Sequence, residues 1–121
     1  MVKFSVEGEI LHGAVDAKYW ERPETVKSLF YVFRLRGDPK YREWSWEIFE
    51  GIESHCKTDT SYLDLADVYD PDLKKLDKQE SFLLSETFKY LLLLFSPPGF
   101  LPLNVWVNTE AHPMMIFSGA V

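Results

Sequence analysis

Residues Gly37-Asp38-Pro39 constrain this chain more than any other three, because they separate two apolar stripes of helical period. Upstream, Val26, Leu29, Phe30 and Phe33 recur at helical spacing. That stripe predicts a helix from about Arg22, with Pro23 in its first turn and Gly37 at its C-terminal cap. Downstream, Asp38 can cap a second helix and Pro39 fits its first position. Tyr41, Trp44, Ile48 and Ile52 make its stripe, which runs to about His55. A connection this short leaves the two helices no choice but to pack as an antiparallel hairpin. The expected class is all-α.

The rest of the chain is read around that hairpin. Phe4, Val6 and Ile10 alternate as in an extended segment, and Gly8 and Gly13 suggest turns. Residues 61–69 alternate by two and predict a short strand pair, after which Asp70-Pro71-Asp72 turns the chain. A third helix is expected from about Asp77 to Phe95, stopped by Ser96-Pro97-Pro98-Gly99. Its last turns are apolar nearly all round, the pattern of a deeply buried helix. The tail from Phe100 is compatible with extended structure. Within it the polar run Asn108-Thr109-Glu110-Ala111-His112-Pro113 sits between Trp106-Val107 and Met114-Met115-Ile116-Phe117. Such flanks predict that the run is buried and that its hydroxyl, carboxylate and imidazole enter a site.

Charge and cysteine content exclude several functions. A net charge of −6 argues against nucleic acid as a partner, since phosphate binders carry a basic patch. Arg34, Arg36, Lys40 and Arg42 are the nearest thing to a cluster and are expected to decorate solvated helix ends. The run Leu91 to Phe95 is far shorter than the roughly 20 apolar residues a membrane span needs, so no membrane contact is expected of this segment. The N-terminus lacks the basic and apolar regions of a signal peptide, so secretion would require a targeting signal outside these residues. Cys56 is the single cysteine, so no internal disulfide is possible, and it is expected to be a buried or partly exposed structural thiol.

Carboxylates then mark a candidate site. With helices one and three parallel, Glu24 and Glu80 fall in the first turns at the same end of the bundle. A helix N-terminus favours negative charge, so capping explains either glutamate alone. Joined by Thr109, Glu110 and His112, they suggest hydrolysis or hard-cation binding. Calcium takes oxygen ligands, whereas zinc would want more than the single His112. Glycoside hydrolysis needs two carboxyl groups. His12 and His55 take no role.

An ordered set of motifs narrows these alternatives. Arg22-Pro23-Glu24-Thr25-Val26, Gly37-Asp38-Pro39-Lys40-Tyr41-Arg42, Glu80 through Thr87, Lys89-Tyr90-Leu91 and Asn108 through Pro113 together resemble the C-terminal part of the class I α-1,2-mannosidases, glycoside hydrolase family 47. The resemblance covers about residues 19–117, and each motif alone is weakly specific. It implies part of an (α/α) barrel of helix hairpins, closed by a short C-terminal β-hairpin plug. Residues 1–121 would then be the C-terminal part of one glycosidase catalytic domain. The implied activity is calcium-dependent, inverting removal of terminal α-1,2-linked mannose from high-mannose N-glycans, in the lumen of the endoplasmic reticulum or Golgi or after secretion. The resemblance implies that Glu24 is the catalytic base and that Thr109 binds Ca2+ through its hydroxyl and carbonyl. It also implies that Glu80 and Glu110 hold calcium-bound waters and sugar, and that Arg22 and Phe82 line the pocket.

The implied general acid lies outside this chain, so the segment alone is expected to lack activity and to need the remainder of the parent domain as its partner. Glu21 stands where the family usually has an aliphatic residue, and Lys27 where it usually has an acidic one. Lys27 is expected to point away from Glu24. Two other readings are a non-catalytic member of the superfamily that binds mannose glycans in glycoprotein degradation, and a helical interaction domain whose acids are only caps.

Overall fold

A computed structural model of the chain describes residues 17–70, 72, 74–104 and 106–114. The expectations placed on Phe4, Val6, Gly8, Ile10, Gly13, Pro71 and the flank from Met115 to Phe117 lie outside those residues. The order is α1 (Glu24–Arg36), α2 (Lys40–His55), a π-helical turn (Leu83–Thr87), α3 (Phe88–Phe95), a 3-10 turn (Pro98–Phe100), and two short strands, β1 (Trp106–Val107) and β2 (Pro113–Met114). The fold is mostly helical, and no described helix is long and apolar enough to cross a membrane.

The hairpin forms where the sequence places it. Gly37 ends α1 at φ 70°, a left-handed conformation that costs glycine little, and its N–H donates to Phe33 O at 2.7 Å. Pro39 precedes α2, and Asp38 Oδ1 accepts the Lys40 N–H at 3.1 Å. α1 packs on both α2 and α3. The core is Val26 and Phe30 from α1 with Tyr90, Leu91, Leu93 and Leu94 from α3, joined by Ala111 of the tail. Phe30 and Tyr90 meet with ring centroids 5.6 Å apart. A smaller cluster of Ile52, Cys56 and Leu65 lies under α2, and Phe88 packs on both clusters.

Several expectations are corrected. The third helix does not begin at Asp77: residues 74–80 are non-helical, because Lys74 O, Lys78 O and the Leu76 N–H hydrogen-bond to residues 64–66 instead. Glu80 therefore precedes the helix rather than lying in its first turn. The 61–69 strand pair is also absent. Leu65 instead forms isolated bridges to Tyr19 on one side and Lys75 on the other, and Lys57 bridges Tyr62.

Nor do the basic residues merely decorate helix ends. Arg34 donates to Leu93 O at 2.8 Å and Pro98 O at 2.7 Å, and Arg42 donates to Leu94 O at 2.9 Å. Leu93 O and Leu94 O are carbonyls of the last turn of α3, which have no partner within the helix and need donors from elsewhere, and Pro98 O belongs to the 3-10 turn that follows it. Arg42 also stacks over Phe33, 4.3 Å from the ring centroid. Finally, α3 is buried on one side only: Tyr90, Leu91, Leu93 and Leu94 are covered, while Leu92 is 62% exposed.

The tail forms a two-stranded antiparallel pair, with Trp106 opposite Met114 and Val107 opposite Pro113. Asn108 organises the turn, since its Oδ1 accepts the N–H groups of Glu110 and His112 at 3.0 and 2.9 Å. Ala111, at φ 60°, turns its methyl into the core, and its carbonyl accepts from Lys89 Nζ at 3.1 Å. Only Ala111 of the polar run is buried. Thr109, Glu110 and His112 are exposed, which corrects the expectation of a buried run.

Candidate active site

Three segments far apart in sequence bring their side chains to one cavity of about 570 Å³. It is lined by Trp20, Arg22, Pro23, Glu24, Lys78, Glu80, Phe82, Glu86, Thr109 and Glu110. All six residues singled out from the sequence (Arg22, Glu24, Glu80, Phe82, Thr109 and Glu110) are therefore neighbours. His112 is not among them: it hydrogen-bonds within its own turn, to the N–H and the side chain of Asn108.

Each segment is held for a local physical reason. Pro23 is buried and its carbonyl takes the first helical bond of α1, from the Lys27 N–H at 2.8 Å, which fixes Glu24 at the rim. The Arg22 guanidinium lies over the Trp20 ring, 4.8 Å from its centroid, a cation–π contact that orients both. Lys78 forms an ion pair with Glu80. No described ion pair joins Lys27 to Glu24, and Lys27 does not line the cavity. Glu110 and Thr109 arrive on the β1–β2 turn, anchored from below by Ala111.

Glu86 was not assigned a role from sequence. It lies four residues after Phe82, so one helical face carries both, and that spacing was a usable signal. The π-helical turn places it: the Phe88 N–H reaches back five residues to Leu83 O, while Leu83 and Thr87 are buried. Turns of this kind recur at functional sites. Behind the cavity wall lie two carboxyl groups with no such signal, Glu21 and Asp64, both fully buried. Burial pushes the Glu21 carboxyl up to about 7, helped by the nearby Asp64 and Glu80 charges and opposed by its hydrogen bond from Glu80. Burial likewise raises the Asp64 carboxyl, with Glu80 adding to the effect. Cys56, buried and unpaired as expected, is pushed up to about 11.

The donor set is chemically one-sided. The lining offers the carboxylates of Glu24, Glu80, Glu86 and Glu110 and the Thr109 hydroxyl, but no histidine or cysteine. That suits a hard cation and not zinc. The carboxylates ring the space rather than converge. Among the described residues no three His, Cys, Asp or Glu side chains come close enough to hold a metal ion directly. A cation here would draw most of its oxygens from water.

The chain belongs to glycosyl hydrolase family 47, whose model matches residues 4–116. It is 44% identical over 126 residues to mannosyl-oligosaccharide 1,2-alpha-mannosidase IA of Sus scrofa, a match covering 97% of this chain and 19% of the relative. Mannosyl-oligosaccharide alpha-1,2-mannosidase IA of Drosophila melanogaster is 52% identical over 99 residues, or 81% of this chain and 15% of its own length. The solved alpha-1,2-mannosidase from Trichoderma reesei superposes with a TM-score of 0.77 at 31% identity, over 89% of this chain and 23% of that one. The chain thus spans less than a fifth of the length of these two relatives.

Proposed function

We propose that this chain supplies the C-terminal part of the catalytic domain of a calcium-dependent, inverting α-1,2-mannosidase that trims high-mannose N-glycans in the secretory pathway. The observation that carries the reading is the meeting of Arg22, Glu24, Glu80, Phe82, Thr109 and Glu110 around one oxygen-lined cavity. Names of relatives from pig to fly point to the same substrate.

In this reading Glu24 is the base. Its carboxylate accepts the proton of a water that attacks the anomeric carbon from the face opposite the leaving oxygen. An inverting site needs roughly 6.5–9.5 Å between base and acid to seat that water. The acid comes from a part of the parent domain outside this chain, so the chain alone does not turn over substrate. Thr109 would hold Ca2+ through its hydroxyl and carbonyl, and the ion would supply ordered waters and positive charge that favours ionised neighbours. Glu80 and Glu110 orient those waters and the sugar hydroxyls. Phe82 gives the sugar an apolar face, and Arg22, held by Trp20, donates hydrogen bonds to it.

The rest of the parent domain is also the partner for the apolar surface left open. Trp44, Trp46, Leu84, Leu92 and Phe95 are each more than 40% exposed, an amount of apolar surface that soluble monomers rarely leave uncovered. In an (α/α) barrel these faces meet neighbouring helix pairs, and the β1–β2 turn plugs one end. Calcium titration of the chain tests the site: a calcium-dependent rise in melting temperature, lost in Thr109→Ala, is expected. No rise in the wild type, or an equal rise in the variant, would favour a helical interaction domain whose acids are only caps.

A further inference from the structure

Glu21 is an unusual residue to bury. It is fully covered, its Oε1 has no hydrogen-bond partner, and its backbone sits at φ 54°, where residues other than glycine are strained. Burying a polar atom without a partner is unfavourable, and an aliphatic side chain of similar length would avoid that cost. The contacts Glu21 does make all lead to the cavity. Its Oε2 accepts the Glu80 N–H at 3.3 Å, and its carbonyl accepts the Thr87 hydroxyl at 2.6 Å. Its chain neighbours are Trp20 and Arg22, both in the cavity wall. One residue therefore ties the Arg22–Glu24 segment to the irregular segment bearing Glu80 and to the π-helical turn bearing Glu86.

We propose that Glu21 is a positioning residue, whose carboxyl fixes the Glu80 backbone and thereby sets where the Glu80 side chain stands in the cavity. The segment it holds needs such a tie, because residues 79 and 80 are in neither helix nor strand. Lys78 O is bound by the Asp64 N–H, and the next backbone anchor is the Leu83 N–H on Glu80 O. Between those anchors the Glu80 N–H has Glu21 alone. The inference rests on reading the cavity as a sugar site, but the bond itself can be tested without sugar.

The test is backbone amide exchange and 15N–1H spectra of the whole chain, as wild type, Glu21→Leu and Glu21→Gln. Leucine removes the acceptor, whereas glutamine keeps a carbonyl at the same reach. Exchange at Glu80 should accelerate about tenfold in the leucine variant and return to near the wild-type rate with glutamine, as for loss and rescue of one hydrogen bond. Core amides such as Phe30 and Leu91 should not exchange faster in either, since both replacements remove a buried ionisable group and so do not loosen the core. Acceleration spread evenly over the core, or none at Glu80, would overturn the proposal. A second arm adds α-1,2-linked mannobiose with calcium and follows the Trp20 indole N–H. A shift in the wild type, weakened by leucine and restored by glutamine, supports positioning for binding. No shift in the wild type counts against the sugar site while leaving the exchange result to decide the role of Glu21.

Discussion

Replacing Glu21 with glutamine should stabilise the chain at neutral pH and not in acid. The carboxyl is pushed from its ordinary value of 4.5 up to about 7, burial being the main cause. Below pH 4.5 the folded and unfolded chains both carry the proton. Between 4.5 and about 7 the folded chain keeps it and the unfolded chain does not. Stability therefore falls as pH rises through that window, by about 1.4 kcal/mol for each unit of separation. The full window would give about 3 kcal/mol. The neighbouring open cavity admits solvent, which screens the charge and brings the expected loss to about 2 kcal/mol.

Glutamine is neutral throughout and escapes this loss. The Asp64 and Glu80 charges that help raise the Glu21 carboxyl lose that repulsion together with it, so their share is part of the variant's advantage. Cys56, pushed up to about 11, and Tyr19, pushed up by burial, stay protonated from pH 5 to pH 8 in both proteins. Urea unfolding of wild type and Glu21→Gln at pH 5 and pH 8 measures it. The variant's advantage should grow by about 2 kcal/mol between the two pH values. An advantage that is the same at both, or that shrinks toward pH 8, would refute the argument that Glu21 is buried as a neutral acid.

Two further predictions follow from the packing. Arg34→Met keeps most of the side-chain volume but leaves Leu93 O and Pro98 O without their donor, so it should cost about 2 kcal/mol by urea unfolding. A variant as stable as wild type would show that water replaces the guanidinium at no cost. Cys56, buried with its thiol pushed up to about 11, should react with iodoacetamide at pH 8 far more slowly in the folded chain than in urea. Equal rates, followed by mass spectrometry, would contradict its burial.

The parts of this molecule that sequence made legible are those governed by local rules. Gly37 and the two apolar stripes specify α1 and α2 because capping and period are short-range properties. Arg22, Glu24, Glu80, Phe82, Thr109 and Glu110 could be named because ordered motifs carry them, and they share a cavity in the fold. What escaped depends on long-range partners. The start of the third helix moved because residues 74–78 find backbone partners at Asp64 and Ala66, which no local propensity encodes. Arg34 and Arg42 look like surface charges until the carbonyls of α3 arrive beside them. Exposure of Thr109, Glu110 and His112 follows from a single inward turn at Ala111, which apolar flanks do not reveal. Glu21 stood out only as a departure from an aliphatic norm; its bonds to Glu80 and Thr87 span 59 and 66 residues.

The central claim is that this cavity forms part of an α-1,2-mannosidase site with Glu24 as its base, and exchanging segments tests it most directly. The region of the Sus scrofa enzyme that matches this chain would be replaced by the chain itself, and mannose release from a high-mannose N-glycan measured with calcium present. The account predicts that the chimera releases mannose and that Glu24→Gln in the grafted segment reduces release by at least about a hundredfold, as for loss of a general base. A cooperatively folded chimera with no activity, or one whose activity survives Glu24→Gln, would contradict it.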